Sequence, residues 1–273
     1  MVAKRRARLV RLRFPLTIHP PMENLVVCYK NEPVEQYHLD RIMEAWPGIR
    51  IVNVGQNRIA EALLDADYFC GHAKVRVDWD RIVQKGRLRW IQSSAAGMDW
   101  CLVPSVIDSS ITITTASGAL ADQVAEHTLS LLLSWMRNLT TFWREQSIPV
   151  ESGYRQFTRR PTKDLSYGTV GIVGFGGVGR RIAEILSAFR CTIMATDLFP
   201  FEKPEYVAAL WTADRLDEML PKCDAVILCL PLCERTHAMF DAARLAKFKS
   251  GALLANVARG PLVVTDALVD ALR

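Results

Sequence analysis

Features that define several classes of protein are missing from this sequence. It contains no apolar run of about 18 residues, the length that a membrane-spanning helix needs, so we expect no membrane partner. Only 15 glycines and 13 prolines occur in 273 residues, which excludes a collagen-like or low-complexity chain. The seven cysteines show neither a Cys-x-x-Cys pair nor a Cys/His zinc spacing. We therefore predict no metal site and interpret the cysteines as buried, reduced thiols of a cytoplasmic protein.

Acidic residues are absent from the first 21 positions, which carry six Lys and Arg residues. The remainder has 28 basic and 29 acidic side chains, so it has no net field that would steer a nucleic acid, and we expect no nucleic-acid partner. Arg11 and Arg13 interrupt the apolar residues of the basic arm, which is unlike a secretory signal. We predict that residues 1–21 form a disordered basic extension; a transit peptide is the alternative.

Short apolar strands alternate with amphipathic helices between residue 22 and about residue 117. Such alternation favours a parallel sheet with right-handed crossovers. The predicted strands are 25–28, 49–54, 68–70, 89–92 and 111–114, and the predicted helices are 34–46, 60–64 and 79–84.

A long helix is predicted over residues 121–139, and its apolar stripe is too wide for one face against a small sheet. We therefore expect it to be buried by the core together with a neighbouring domain or subunit. After a polar loop at 149–165, a second α/β series predicts a doubly wound sheet. Its four predicted strands are 170–173, 192–196, 225–230 and 253–257, and its helices are 178–189, 216–220, 242–248 and 265–272.

A glycine-rich turn, Gly174-Phe175-Gly176-Gly177-Val178-Gly179, directly follows a predicted strand and opens a predicted helix. Asp197 lies 18 residues after Gly179, at the end of the next predicted strand. Together these elements form the fingerprint of a dinucleotide-binding protein. Gly174 would permit the tight turn, Gly176 the close approach of the pyrophosphate, and Gly179 the close packing of helix on strand.

The cofactor expected at this turn is NAD. The helix that begins near Val178, next to Gly177, would present free N–H groups and a positive dipole to the phosphates. Asp197 would accept hydrogen bonds from the adenosine ribose and repel a 2′-phosphate, and no Lys or Arg follows it before Lys203. A methyltransferase fits these elements less well.

With several further motifs, the chain resembles the D-isomer-specific 2-hydroxyacid dehydrogenase family over nearly all of its length after about residue 66. The motifs occur in the family's order, which makes the set more specific than any single one. They are Trp90-Ile91-Gln92-Ser93-Ser94-Ala95-Ala96-Gly97-Met98-Asp99, Ala116-Ser117-Gly118, Val124-Ala125-Glu126-His127, the glycine turn with Asp197, Leu230-Pro231-Leu232 with Thr236, and Asn256-Val257-Ala258-Arg259-Gly260.

This resemblance implies two α/β domains with the active site in the cleft between them. A smaller, flavodoxin-like substrate domain would include residues 22–117, and a doubly wound Rossmann domain that binds NAD would span residues 118–273. It also implies a homodimer built on the 121–139 helix.

The same resemblance assigns roles to individual residues. Arg259 would be the catalytic arginine that binds the carboxylate and keto oxygen of the substrate, and backbone N–H groups near Ala96 and Gly97 would receive the carboxylate. His72 follows a predicted strand in a loop, which suggests a contact with the substrate side chain. Further cofactor contacts are expected at Leu230, Pro231, Thr236, Val257, Ala258 and Arg259.

The function expected from the resemblance is hydride transfer between NAD(H) and a small D-2-hydroxy acid or 2-keto acid. Phosphoglycerate, glyoxylate or hydroxypyruvate, and lactate all stay open as substrates. The family completes its site with a Glu–His pair downstream of the arginine, and this sequence reaches Arg273 without one. We therefore expect a C-terminally incomplete cofactor domain with little or no activity of its own. A non-catalytic NAD sensor and an inactive fragment are the alternatives.

Overall fold

The computed structural model describes residues 22–145 and 162–273, so the predicted extension at 1–21 and most of the predicted loop at 149–165 lie outside the described residues. The described chain falls into two compact units. The first contains residues 22–91 and 108–112, and the second contains residues 92–107 and the described part of 113–273. The substrate-binding and cofactor-binding roles of these units stay predictions.

A five-stranded sheet forms the basis of the first unit, and the boundary between the units passes through its last two strands. The strands are β1 (Asn24–Cys28), β2 (Arg50–Asn53), β3 (Tyr68–Gly71), β4 (Trp90–Ser93) and β5 (Thr112–Thr114), and the helices are α1 (Gln36–Ala45), α2 (Ile59–Ala62) and α3 (Trp79–Lys85). The strand order β2-β1-β3-β4-β5 is that of a flavodoxin-like sheet, which confirms this part of the predicted fold class.

The central strand β1 is buried along its whole length and pairs in parallel with β2 and β3. Leu25 and Val27 pack with Val34 and with Leu39 of α1. Val26 is fully buried as well, and because successive strand residues point to opposite faces, it packs on the other side of the sheet. A strand that is covered on both faces needs a continuous apolar run, which is what the sequence has here.

The second unit contains a second five-stranded sheet in which all neighbouring strands are parallel. Its strands are β6 (Thr169–Val173), β7 (Thr192–Asp197), β8 (Ala209–Thr212), β9 (Ala225–Leu228) and β10 (Leu253–Asn256). The order β10-β9-β6-β7-β8 is that of a doubly wound Rossmann sheet, as expected. The chain reverses its direction of winding between β6 and β9, and ligands bind at the carboxyl ends of the strands at such a point.

The prediction of four strands in this sheet was wrong, because β8 is a fifth. It lies at the edge of the sheet and, among the described strands, pairs only with β7. Ala209, Leu210 and Trp211 are all half-buried. The strand therefore shows neither the alternation of a half-buried strand nor the long apolar run of a central one.

The long helix is shorter than predicted: α5 runs over Ala121–Met136 rather than 121–139. Arg137 N donates to Leu133 O at 2.9 Å, and Asn138 then adopts a left-handed conformation with a φ of 57°. Asparagine tolerates this conformation better than most residues do, so it can end the helix. A separate short helix, α6 (Leu139–Glu145), follows.

One face of α5 is part of the core of the second unit. Ala125, Leu129, Leu132 and Met136 are buried in one cluster with residues of the sheet and of α7 (Gly177–Leu186). On the opposite face Leu131 is 49% exposed. The remaining helices are α4 (Pro104–Ile107), α8 (Leu216–Met219), α9 (Ala242–Leu245) and α10 (Thr265–Ala271). Within the described ranges, no helix has the length and apolar character needed to cross a membrane.

The cysteines are only partly as expected. All seven lie within the described residues and are free thiols. Cys28, Cys101 and Cys223 are buried, as predicted, whereas Cys70, Cys191 and Cys229 are half-buried and Cys233 is exposed. Cys233 escapes burial because it lies in the loop after β9 rather than in a strand.

Candidate functional site

The glycine turn after β6 is held by close backbone contacts. Gly174 has a φ of +93°, and its N–H donates to Thr196 O at 2.8 Å. A Cβ atom on Gly174 would lie 2.9 Å from the Cys229 backbone, and one on Gly179 would lie 2.2 Å from Gly174 O. Both positions therefore require glycine, the first for its conformation and the second for the close packing of α7 on the turn.

The N-terminus of α7 faces open space. Gly176 is the N-cap, and no described side chain accepts a hydrogen bond from the first turn. A Cβ atom on Gly176 would meet no described atom within 4 Å. On the other side, a Cβ atom on Gly177 would lie 3.0 Å from the Cα of Gly118. The turn thus presents unpaired N–H groups of a helix N-terminus, which favour an anion such as a pyrophosphate.

Asp197 ends β7 and its carboxylate is joined to the glycine turn. Its Oδ2 accepts a hydrogen bond from Phe175 N at 2.6 Å, and its Oδ1 accepts one from Phe199 N at 2.9 Å. A carboxylate can accept about four hydrogen bonds, so this half-buried group retains capacity for the hydroxyls of a ribose.

The basic side chains of Arg180 and Lys203 donate hydrogen bonds to backbone carbonyls. Lys203 Nζ donates to Val207 O at 2.8 Å. Arg180 donates to the carbonyls of Glu202 and Phe201, and its guanidinium carbon lies 4.8 Å from the centre of the Phe175 ring. Neither cation is therefore directed to neutralise Asp197 or a phosphate beside it.

The loop after β9 is closed by Thr236. Its hydroxyl donates to Pro231 O and accepts from Cys233 N, both at 2.8 Å. The same hydroxyl lies 3.5 Å from Cys233 Sγ, and this contact lowers the pKa of that exposed thiol. By contrast, burial next to Asp197 raises the pKa of Cys229 to about 12, and its Sγ lies 3.0 Å from Gly174 O.

Arg259 follows β10, and its side chain is held in one place. Its Nε and Nη2 atoms both lie 3.1 Å from Asp99 Oδ1, and its Nη1 donates to Ala258 O at 2.9 Å. The backbone is held as well, because Asn256 Nδ2 donates to Arg259 O at 2.8 Å and Asn256 Oδ1 accepts from Ala258 N at 3.0 Å. The guanidinium is therefore a fixed positive group that is still 40% exposed.

Gly97 lies directly under this guanidinium. A Cβ atom on Gly97 would lie 1.8 Å from Arg259 Nη2, so a larger residue would displace the guanidinium. Ala96 is exposed and Gly97 is half-buried. The structure thus brings Arg259 to the Ala96–Gly97 turn, within the second unit. A planar guanidinium group next to exposed backbone is suited to binding a carboxylate through two parallel hydrogen bonds.

His72 lies in the first unit, directly after β3. Its N–H donates to Cys28 O at 2.9 Å, and its carbonyl accepts from Gln56 Nε2 at 2.7 Å. These bonds fix the backbone of the residue, and the side chain is half-buried. Its contact with a substrate stays a prediction.

Two residues that position Arg259, Asp99 and Asn256, were given no role by the predictions from the sequence. Asp99 holds Arg259 from 160 positions away, and no local pattern indicates that pairing. Asn256 shapes the loop that carries Arg259. Both residues belong to motifs that the chain shares with the family, and only those motifs could have indicated their roles. Among the described residues, no group of three or more His, Cys, Asp or Glu side chains is placed to hold a metal ion.

The Rossmann sheet, the glycine turn and Asp197 define a dinucleotide-binding protein. The profile of one family, described as the D-isomer specific 2-hydroxyacid dehydrogenase, NAD binding domain, matches residues 129–273. The chain belongs to this family, and the cofactor of the family is a nicotinamide dinucleotide.

Formate dehydrogenase 2, mitochondrial, from Oryza sativa subsp. japonica is 34% identical over 194 residues, which cover 70% of this chain and 50% of that protein. Glyoxylate reductase from Thermococcus onnurineus is 31% identical over 228 residues, or 81% of this chain and 66% of that protein. The solved NAD-dependent formate dehydrogenase from Staphylococcus aureus, in complex with NAD, has a TM-score of 0.71 and 24% identity over 91% of this chain and 77% of that one. The chain therefore spans about half the length of the plant formate dehydrogenase it matches.

Proposed function

We propose that this protein is an NAD-dependent oxidoreductase that transfers a hydride between NAD(H) and a small 2-hydroxy acid or 2-keto acid. The observation that carries the proposal is the Arg259 guanidinium, which lies on Gly97 and is held by Asp99 in the same unit as the glycine turn. A fixed guanidinium fork suits the carboxylate and keto oxygen of such an acid. Membership of the family supports the same class of reaction.

The residues at the carboxyl edge of the second sheet fit NAD. The first turn of α7 would hold the pyrophosphate, and Asp197 would accept hydrogen bonds from the adenosine ribose. A 2′-phosphate would meet the charge of Asp197 without help from Arg180 or Lys203, so NAD is favoured over NADP. The turn itself comprises Gly174, Gly176, Gly177, Val178 and Gly179, and Leu230, Pro231, Thr236, Val257 and Ala258 would line the rest of the cofactor from the loops after β9 and β10.

The bound cofactor would supply or accept the hydride at C2 of the acid. Arg259 would bind the carboxylate and lie against the keto oxygen, with backbone N–H groups near Ala96 and Gly97 on the other carboxylate oxygen. In the reduction, negative charge would develop on the keto oxygen as the hydride arrives, and solvent water would supply the proton that completes the hydroxyl group. The charge of Arg259 stabilises that oxygen without reorganisation, because Asp99 already holds the guanidinium in place.

We also propose that the protein is a homodimer through the predicted 121–139 helix. Large apolar side chains are exposed along α5 and α6: Leu131 is 49% exposed, Leu139 50% and Trp143 74%. Apolar side chains of this size in one segment are typical of a surface that a partner covers. A second copy of the chain is the partner that the resemblance implies.

The test of the proposed reaction is a spectrophotometric assay of NADH oxidation with glyoxylate, hydroxypyruvate and pyruvate, alongside NAD reduction with formate. We expect slow oxidation of NADH with at least one 2-keto acid, and a loss of about a hundredfold or more of that activity in Arg259→Gln. Arg190→Gln is the control, because Arg190 is exposed and its side chain forms no hydrogen bond or ion pair with the described residues.

Turnover of formate and of no 2-keto acid would contradict the proposed substrate class. Equal turnover by Arg259→Gln would contradict the role of the arginine. Binding of NADH with no turnover of any acid would favour a non-catalytic NAD sensor.

A further inference from the structure

A cavity of about 290 Å³ in the first unit is lined by residues of β1, of β2 and of α2 with its flanking turns. Its polar lining consists of Asn24, Arg50, Arg58, Glu61 and Asp65. None of these residues belongs to the proposed catalytic or cofactor site. The volume is at the lower end of the range for ligand pockets, so it suits a small metabolite.

The fold explains why these side chains converge. Asn24 opens β1 and is the registered partner of Arg50, the first residue of β2. Arg58, Glu61 and Asp65 are spaced three and four residues apart along α2 and its flanking turns, which places them on one side of that element. Asn24 Nδ2 donates to Asp65 O at 2.9 Å, which joins the strand to the end of the helical segment.

The four charged side chains of the cavity, two guanidinium groups and two carboxylates, have no ion-pair or hydrogen-bond partner among the described residues. Other arginines of the same unit do find acids: Arg87 lies 3.1 Å from Asp67, and Arg89 contacts Glu23. The cavity therefore presents two positive and two negative groups that remain available to a ligand.

Asn24 adds a buried hydrogen-bond acceptor. The residue is 9% exposed, and its Oδ1 atom has no hydrogen-bond partner among the described residues. The orientation of the amide is fixed, because its Nδ2 donates to Asp65 O. A buried oxygen without a donor costs free energy, so this position calls for a donor from outside the described residues.

We propose that this cavity binds a small zwitterion of the α-amino acid class. The ligand carboxylate would bind Arg50 and Arg58, and its ammonium group would donate to the carboxylates of Glu61 and Asp65 and to the unpaired amide oxygen of Asn24. Its aliphatic side chain would lie on the apolar wall formed by Val52 and Val54.

Ligands with charge of one sign fit the lining less well. A simple anion has no donor for the Asn24 oxygen and would be repelled by the two carboxylates. A simple cation would leave both arginines unpaired and would be repelled by them. A ligand that carries both charges on one small framework is the class that satisfies all five polar groups.

The test is calorimetric titration and thermal unfolding of the full chain with L-alanine, acetate, methylammonium and inorganic phosphate as probes. We expect L-alanine to bind and to raise the unfolding temperature with concentration, and the other three to bind more weakly. Arg58→Gln and Asp65→Asn each remove one charged hydrogen bond, so each should weaken the binding of L-alanine by about tenfold. Arg41→Gln on α1 is the control, because Arg41 is exposed and lies outside the cavity.

Several results would overturn the proposal. One is binding of acetate or phosphate as tight as that of L-alanine, which would show an anion site. A second is the absence of any effect of L-alanine at millimolar concentration. A third is unchanged binding of L-alanine by both cavity variants, which would place the ligand elsewhere. None of these results depends on the cofactor site, so the proposed oxidoreductase function is tested separately.

Discussion

At the scale of single residues, Gly97 and Arg259 depend on each other. The atom that a Cβ on residue 97 would meet first is the end of the Arg259 side chain, 1.8 Å away, and not the backbone. A larger residue can therefore be accommodated by moving the guanidinium away from the Ala96–Gly97 turn. That movement leaves the fold intact and removes the group that would bind the substrate carboxylate.

Gly97→Ala should therefore weaken the binding of a 2-keto acid by about tenfold or more, because a charged hydrogen bond is misplaced, and leave NADH binding unchanged. The measurement is a titration of each ligand by calorimetry. Gly260→Ala is a matched control next to Arg259, because a Cβ there would meet no described atom within 4 Å. Equal affinity of Gly97→Ala and the unmodified chain for the acid would refute this dependence.

Asp197 is the residue that we expect to select between the two nicotinamide cofactors. Asp197→Asn removes the negative charge and keeps an oxygen that can accept a hydrogen bond from the backbone. It should narrow the preference for NADH over NADPH by about tenfold, since like charges next to each other cost several kcal/mol. The affinities of the unmodified chain and of Asp197→Asn for NADH and for NADPH are measured by fluorescence titration. Tighter binding of NADPH than of NADH by the unmodified chain would exclude the assignment.

Sequence reasoning at this scale succeeded where the chemistry is local. The turn from Gly174 to Gly179 and the distance to Asp197 are properties of one short stretch, and the structure places them together. The pairing of Asp99 with Arg259 depends on how distant segments fold onto each other, so the spacing of residues could not reveal it.

At the scale of elements, one carboxylate joins α8 to α9 and the residues after it. Asp217 Oδ1 accepts from Arg244 Nε at 2.8 Å, and its Oδ2 accepts from Lys247 Nζ at 2.7 Å. The bonds from Lys247 and Arg244 lower the pKa of Asp217. Because the pKa is lower in the folded chain than in the unfolded one, the stabilisation is present above the unfolded pKa and is lost as the pH falls through the folded pKa.

Asp217→Asn should therefore lower the free energy of unfolding near neutral pH by about 0.2–1 kcal/mol, the range for exposed ion pairs. The loss should shrink as the pH falls below about 4, where the carboxyl group of the unmodified chain takes up a proton. Urea unfolding across this pH range measures both effects. Asp214→Asn is the control, because that nearby carboxylate forms no ion pair with the described residues. A loss that is independent of pH would show that the ion pairs of Asp217 are not the source of the stabilisation.

The elements that the sequence predicted best are those with buried, continuous apolar runs, such as β1 and β6. The half-buried edge strand β8 lacked such a run and was missed. The end of α5 was missed because Leu139 continues the apolar pattern, whereas the left-handed conformation of Asn138 breaks the helix before it.

At the scale of the whole molecule, the exposed apolar side chains of α5 and α6 lead to a prediction about assembly. Leu131→Glu keeps a good helix former and places a charge on the exposed face of α5. Light scattering should give twice the 30.7 kDa of one chain for the unmodified protein and a single-chain mass for the variant. Leu272→Glu, at a leucine that is 77% exposed after α10, should stay dimeric. A single-chain mass for folded, unmodified protein at micromolar concentration would contradict the dimer.

The strand orders of the two sheets are those of the flavodoxin-like and doubly wound Rossmann folds that the family resemblance implied. The alternation of strands and helices by itself predicted parallel pairing. The zwitterion cavity was not expected, since it depends on the unpaired state of side chains from a strand and a helix. The sequence pattern does not show whether a charged residue forms an ion pair, because ion pairing depends on the tertiary structure.

The most direct test of the proposed function follows the fluorescence of NADH while the chain binds the cofactor and then oxamate, an unreactive analogue of a 2-keto acid. We expect the unmodified chain to bind both ligands. Arg259→Gln should lose far more affinity for oxamate than for NADH, because the fixed guanidinium on Gly97 is gone. If the unmodified chain does not bind NADH, or if the variant still binds oxamate as tightly as the unmodified chain does, the proposed function is wrong.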